Sequence, residues 1–475
     1  MGILAYMEQI NSMQEKLERL LAADTVFDLK RRPLLLCGKT GTFTYLIEFA
    51  DSISIESILS ALMHSVKKLP ATMQEILETA IPFGGCEVTG DPALAASEIL
   101  RGSAALTLSG FNEILLLDIR SFPLRSPEEP EQDRTLRGPH VGTGESLIAN
   151  LAQIRRLMRT EHLQAEKFIL GTGVQNEVAL LSMNGKADEE FLEKIRKKLR
   201  ENRVPNLSMT QEALAKILVP RKGLQLLNPF PKVRYTERPD VIAASLMEGK
   251  IAVLCDNSPS VILLPQSLFD FFEETDDYYF PPITASYLRI VRFLVFAASI
   301  LLIPIWLLAV REQEMLPNGF RFVLTEEDYA VPLFLQFLLI EVSMDGLKMA
   351  SLNTPSTLSG SFSVIGGLLL GEFAVKSGWF VPQTILYSAF TGIANFIPTS
   401  VELGYSFKLI RITLILMVEF LGFWGLISGL VFWLLVLIFT KGAEGKSYLY
   451  PFIPWDGKGI ARILLRLNSG RERRV

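Results

Sequence analysis

The chain has 475 residues, 49% hydrophobic and 21% charged, with a mean hydropathy of +0.30. It is too long for one ordinary domain and too apolar to be wholly soluble, so it reads as a membrane protein with a large polar portion. A net charge of -4 gives no sign of a nucleic-acid partner, and Cys37, Cys86 and Cys255 stand far apart with no CxxC pair, which excludes a disulfide framework or a zinc site. The N-terminal MGILAYMEQINSMQEKLERL lacks the basic region, apolar core and cleavage site of a signal peptide, so the N-terminal half is expected in the cytoplasm.

In chain order, residues 1–32 predict an amphipathic helix, with Met13, Leu17, Leu20 and Leu21 at helical spacing. Strands are expected at 34–37 and 42–49, then helices over 53–67 and 71–79. Gly38-Lys39-Thr40 resembles the end of a phosphate-binding loop, but Pro33 stands where its leading glycine belongs, so no nucleotide site is expected. An internal echo follows. AASEILRG leading into ALTLSGFNEILLLD, and AASLMEG leading into IAVLCDNSPSVILLP, both read helix, glycine stop, strand, turn, strand. Ser109-Gly110 and Asp256-Asn257 supply the turns, so two related α/β subdomains are expected in tandem, 33–145 and 146–285.

Between the copies, 123–144 is rich in Pro, Glu and Arg, and 146–159 predicts a helix carrying Arg155, Arg156 and Arg159. Solvated arginines on an ordered linker are favoured there over an anion site. Further helices are expected at 188–202 and 211–218. FDFFEETDDYYFPP, next to Arg289 and Arg292, then reads as a membrane-surface collar.

Apolar segments fall at 290–310, 330–347, 357–375, 381–398 and 409–439, within a transmembrane domain over 286–440. The basic tail 441–475 carries Lys441, Lys446, Lys458, Arg462, Arg466, Arg471, Arg473 and Arg474. With Arg289 and Arg292 ahead of the first segment, the positive-inside rule puts both ends in the cytoplasm, which five full crossings cannot do. About four crossings and one re-entrant or interfacial segment are therefore expected. That segment is 330–347, which carries Glu341 and Asp345 one turn apart; the runner-up is 381–398. This assignment leaves Lys408 and Arg411 outside. Within 357–375, Ser359, Ser363, Gly367 and Gly371 form a small-residue packing face, and Val364, Leu368 and Glu372 an adjoining stripe. Glu341, Asp345 and Glu419 are intramembrane acids, and Lys348 is close enough in sequence to pair with the first two.

NPFPKVRYTERPDVIAASLMEGKIAVL resembles the signature of the A-subunit family of bacterial spore germination receptors. The likeness extends to EPEQDRTLRGPHVGTGESLIANLAQIRR, RFLVFAASILLIPIWLLAV, SFSVIGGLLLGEFAVKSGWFVP and YSFKLIRITLILMVEFLGFWGLISG, roughly residues 30–455. The ending PFIPWDGKGIARILLRLNSGRERR is similar to one branch of that family. The resemblance implies a spore inner-membrane protein, N-terminal region on the core side, that oligomerises and takes part in monovalent ion release at germination. Where the family has a Glu-rich run, this chain has MDGLKMASLNTP, which keeps an acid at Asp345 and a base at Lys348 and fits an accessory role better than a nutrient sensor.

Two functions follow as expectations. In the first, the protein is an oligomeric ion channel, with Val364 and Leu368 as a hydrophobic gate and Glu372 as an acidic ring attracting cations. In the second, it is a non-conducting scaffold that docks other germination membrane subunits, its basic tail on membrane lipid. An enzyme is not expected, since no catalytic constellation, metal spacing or intact glycine loop is present, and no cofactor is implied.

Overall fold

Two copies of one strand arrangement build the N-terminal half of the protein. The computed structural model describes residues 12–464 apart from 22, 24, 25, 67–70, 82–85, 120–134, 136, 137, 172–175, 202–209, 222, 275, 326–328, 353–366, 368–372, 396, 398 and 399. The first copy comprises α1 (Ser12–Leu20), β1 (Leu29–Leu36), β2 (Lys39–Leu46), α2 (Ser52–Ser65), α3 (Met73–Ala80), β3 (Cys86–Thr89), α4 (Pro92–Leu100), β4 (Ala104–Leu108) and β5 (Ile114–Leu117). The second repeats it as α5 (Leu147–Leu157), β6 (Leu163–Leu170), β7 (Asn176–Met183), α6 (Glu189–Glu201), α7 (Thr210–Leu218), β8 (Arg234–Thr236), α8 (Pro239–Met247), β9 (Ile251–Cys255) and β10 (Val261–Leu264). Both sheets are five-stranded and antiparallel, in the order β1-β2-β4-β5-β3 and β6-β7-β9-β10-β8.

Side-chain alternation explains the layers. In the first copy Leu106, Leu108, Leu115 and Leu117 face Ile58, Leu62 and Ile76 of α2 and α3, while Ala105, Ile114 and Leu116 face α1 and α4. Both sheet faces are covered, so β4 and β5 are buried at every position. Helix starts are fixed locally: Asp51, Thr72, Asp91 and Ser146 cap α2, α3, α4 and α5 with their side-chain oxygens.

The structure places the domain boundaries differently from the sequence reading. Residues 12–20 are not a separate leading helix: Met13 and Leu17 pack with Ala95, Ala96 and Ile99 of α4, as Leu147, Leu151 and Ile154 of α5 pack with Ile242 and Leu246 of α8. The first repeat therefore begins with α1. Gly38-Lys39-Thr40 belongs to the β1–β2 hairpin, whose two-residue turn is Cys37-Gly38 with φ of 48° and 82°. Arg155 is not a solvated arginine, whereas Arg156 and Arg159 are exposed. It is 1% exposed and donates to Asp28 at 2.7 and 3.1 Å, with Glu48 3.5 Å away. One guanidinium thus holds two carboxylates that flank the β1–β2 hairpin, tying α5 to the first copy. In the described part of the linker, Arg238 donates to Thr135 Oγ1 at 2.6 Å and to the Pro139 carbonyl at 3.2 Å.

The second compact unit comprises 221–232 and 266–475, so it takes in residues that the sequence reading gave to the second subdomain. The reason is aromatic: Phe230, Phe271 and Phe272 are buried with Phe296, Phe407, Leu403 and Tyr448. Its helices are α9 (Asp276–Tyr279), α10 (Pro282–Arg311), α11 (Leu333–Leu352), α12 (Ala374–Lys376), α13 (Pro382–Ala394), α14 (Val401–Leu421), α15 (Phe423–Phe439) and α16 (Gly457–Leu464). Among the described residues only α10 is long and apolar enough by composition to cross a membrane, with α15 a shorter apolar helix.

The apolar run 409–439 is two helices, not one. Gly422, at φ 59° and ψ -135°, breaks it, and the chain reverses. A Cβ on Gly425 would overlap the Met417 carbonyl, and one on Gly429 would lie 2.6 Å from Leu414, so two glycines four apart let α15 pack directly on α14.

Contacts set the direction of each helix. Arg311, ending α10, donates to the Val418 carbonyl at 3.0 Å, near the turn, while Phe296, about four turns before Arg311, meets Phe407 early in α14 at 5.2 Å. Phe337 of α11 and Tyr387 of α13 both meet Trp306 at the Arg311 end. Asp345 of α11 reaches Lys408, and Gly392 of α13 reaches Met344, toward the other end. Helices α11 and α13 therefore run the same way, opposite to α10 and α14.

Glu48 yields a pH prediction. Burial, then the Asp28 charge, raises its carboxyl pKa well above the usual 4.5. The folded state then keeps a proton that the unfolded chain releases, so stability is lost as pH rises above about 4.5. Glu48→Gln should melt like the wild type near pH 5 and higher by roughly 2–4 °C or more near pH 8, by thermal melting of the full chain in detergent. Parallel melting curves at both pH values would refute the assignment.

Candidate functional site

Helix α11 is apolar from Leu333 to Ile340 apart from Gln336, and then carries Glu341 and Asp345, one turn apart and so on one face. Helix α14 opens under the Ser400 cap and carries Lys408 and Arg411, three apart and also on one face. The two faces meet. Lys408 Nζ lies 2.6 Å from Asp345 Oδ2 and 3.1 Å from Glu341 Oε2, and donates to the Glu341 carbonyl at 2.9 Å. Arg411 places Nε 2.7 Å and Nη2 2.6 Å from Glu341 Oε1, and its Nη1 donates to the Ser299 carbonyl of α10 at 2.8 Å.

Burial gives these contacts their weight. Arg411 is 0% exposed and Glu341 4%, whereas Asp345 keeps a third of its side chain accessible. An isolated carboxylate in an apolar helix costs about 2.5–3.5 kcal/mol on insertion scales, so Glu341 depends on its two cations. Beside the pairs lies a cavity of about 50 Å³, room for a few waters, lined by Glu341, Asp345, Lys348, Tyr405 and Lys408 with Met344.

The expected site residues divide. Glu341 and Asp345 come together, but the bases brought to them are Lys408 and Arg411, from 63 to 70 positions away, while Lys348 Nζ stands 4.9 Å over the Tyr405 ring. Lys408 and Arg411 are thus buried in the helical unit, not on an outer surface. Glu419 lies two turns beyond Arg411, away from the cluster, and its backbone carbonyl accepts from Arg311. Ser359, Ser363, Val364, Leu368, Gly371 and Glu372 lie outside the described residues. Gly367 is described and exposed. The signal for Lys408 and Arg411 was present: two bases on one face of an apolar helix match two acids on one face of another.

A second cluster sits at the start of α10. Asp277, fully buried, accepts from Arg289 Nε at 2.8 Å and from Arg292 Nη1 and Nη2 at 3.2 Å, and Glu274 meets Arg292 at 2.8 Å. Acids and arginines from the expected collar thus meet in one cluster, in which both arginines are buried. Among the described residues no group of three His, Cys, Asp or Glu is placed to hold a metal.

The Bacillus/Clostridium GerA spore germination protein family matches residues 13–474, and the chain belongs to that family. Stage V sporulation protein AF of Bacillus subtilis is 30% identical over 455 residues, 95% of this chain and 91% of that protein. Spore germination protein KA of the same organism is 29% identical over 89% of this chain and 78% of its own length. An uncharacterized membrane protein of B. subtilis, YfkQ, is 26% identical over 90% and 83%. The crystal structure of the N-terminal domain of the A subunit of the Bacillus megaterium spore germinant receptor GerK3 covers 52% of this chain and 91% of its own at 22% identity, with a TM-score of 0.39.

The pairing makes a prediction. Lys408→Met removes one partner from a buried cluster and should destabilise the protein by about 3–5 kcal/mol. Lys348→Met should cost less, since Lys348 is half-buried and is not paired with Glu341 or Asp345 as Lys408 is. Denaturant titration of the detergent-solubilised protein checks the difference; equal losses would contradict it.

Proposed function

We propose that the protein is a multi-pass protein of the spore inner membrane that acts in germination as an oligomeric ion channel, or a subunit of one, promoting monovalent cation release. The observation that carries this reading is the cluster of buried Glu341, Lys408 and Arg411 with half-buried Asp345. Ionisable side chains facing the interior of an apolar helical bundle mark ion pathways by default. Asp345 and Lys348 stand on the last two turns of α11, just before the stretch that holds Val364, Leu368 and Glu372. A rearrangement of the pairs would move α11 and with it the start of that stretch, which is how a gate would be worked.

The helix directions support six crossings: α10, α11, 357–375, α13, α14 and α15. An even number leaves both termini on the core side without a re-entrant segment, in place of the four crossings and one re-entrant segment expected from sequence. Homo-oligomerisation, other germination membrane subunits as partners and contact with membrane lipid belong to the same proposal. It includes no catalytic step and no cofactor.

A second reading, a non-conducting scaffold that docks other germination proteins, is favoured by one observation. Both acids of the cluster are met by bases, as in a structural lock. Ion flux through liposomes holding the purified protein, alone and with partner subunits, separates the two. The channel reading expects leak to rise several-fold in Val364→Ala and cation preference to fall in Glu372→Gln. Tight vesicles for every variant, with the protein folded and oligomeric, would favour the scaffold.

A further inference from the structure

The segment 221–232 belongs to the helical unit, and its placement there is fixed by its own carbonyls. Arg221 donates to the carbonyls of Asn228 at 2.7 Å and Phe230 at 3.0 Å. Ser406 donates to the Pro229 carbonyl at 2.8 Å, Tyr448 to that of Pro231 at 2.6 Å, and Asn228 Nδ2 to Thr440 Oγ1 at 2.6 Å. The segment is thereby held where α14 begins and α15 ends, in an aromatic setting: the Phe230 ring lies 6.2 Å from Trp433 and 6.0 Å from Tyr448. Aromatic rings of this kind favour the boundary between hydrocarbon and water.

Two features of the segment have no counterpart among the described residues. Lys232 is 6% exposed, yet among the described residues its ammonium has neither a hydrogen bond nor an ion pair. Burial, and then the charge of Arg221, lowers its pKa, the sign of a cation set beside another cation without an acid to balance it. Asp270, a carboxylate of the same unit, accepts from Ser267 N at 2.6 Å and Oγ at 2.8 Å. Leu226 and Leu227, in the short turn between the two cations, are 69% and 80% exposed. Neighbouring leucines that avoid the core, flanked by two bases, make an element with an apolar tip and an anion-seeking root.

We propose that Arg221 and Lys232 hold the phosphate of an anionic phospholipid headgroup, with Leu226 and Leu227 seated among its acyl chains. The bilayer supplies both halves of what the segment lacks: a negative charge at headgroup depth for the two cations, and hydrocarbon just beneath it for the leucines. This site rests on the reading that the helical unit spans a membrane, and places the 221–232 segment at its cytoplasmic face.

The test uses full-length protein in neutral detergent, with melting followed as lipid is titrated. Phosphatidylglycerol should raise the melting temperature saturably, and phosphatidylcholine and inorganic phosphate should not. In Lys232→Gln and in Arg221→Gln the half-saturating lipid concentration should rise about fivefold each, the factor for one basic group at an anionic surface. Lys232→Arg should bind as the wild type does, and so should Lys216→Gln, which removes an exposed lysine elsewhere. If Lys232→Gln does not fold, Arg221→Gln, at an exposed position, carries the comparison. Wild-type affinity in the Gln variants overturns the site, as does equal stabilisation by inorganic phosphate, which would make it a free-anion site. Carbonate washing of membranes reports separately on the spanning reading: release of the protein would sink that reading, while retention with unchanged lipid titrations would sink only the site.

Discussion

Glu341 stands at the end of an apolar stretch of α11, where a buried carboxylate is costly unless cations lie beside it. Arg411 and Lys408 supply them from one face of α14, and Arg411 extends the contact to the Ser299 carbonyl of α10. Three helices are thereby fixed in register by one acid. Dispersion between apolar faces would tolerate a slide of α11 by a turn, but a buried ion pair would not, since a slide would leave a charge unmatched. The position of the chain on either side of 353–372 follows from this constraint.

The same physics recurs in the N-terminal half, at the join between two copies of one fold. Arg155 is fully buried and faces Asp28 and Glu48, two carboxylates for one guanidinium. Where Glu341 has more cations than it needs, Glu48 has fewer, and burial with the Asp28 charge beside it raises its carboxyl pKa well above the usual value. At the start of α10, Asp277 reverses the ratio again, one carboxylate between two arginines. In each place a buried charge specifies which elements meet, while apolar packing supplies most of the stability, about 1.5–3 kcal/mol for each fully buried Leu or Ile.

The duplication was legible in the sequence because it is written in local chemistry. Gly102 and Gly249 end α4 and α8 at equivalent places, and Ser109-Gly110 and Asn257 turn the hairpins that follow. What was missed depends on distance along the chain. Lys348 is three residues from Asp345 and was the base within reach, whereas Lys408 and Arg411 become neighbours only when α14 folds against α11. The turn at Gly422 was hidden by composition, because it interrupts an apolar run without a charge or a proline. Length was the clue: as one helix, residues 409–439 would extend about 46 Å against about 30 Å of hydrocarbon. Reading the run as one crossing gave an odd number of spans and forced a re-entrant segment. The expected pore face at 357–375 falls largely outside the described residues, and its glycine-packed counterpart is found on α15, at Gly425 and Gly429.

The most direct test of the account is the sidedness of the turn between α14 and α15. With Cys37→Ala and Cys86→Ala as background, single cysteines at Asn318, Phe423 and Glu444 would be labelled with a membrane-impermeant maleimide in sealed vesicles of each orientation. The account predicts that the first two label from the outer side and the third from the core side. Labelling of Phe423→Cys and Glu444→Cys from the same side would contradict it, because the chain would not then cross between Gly422 and Thr440.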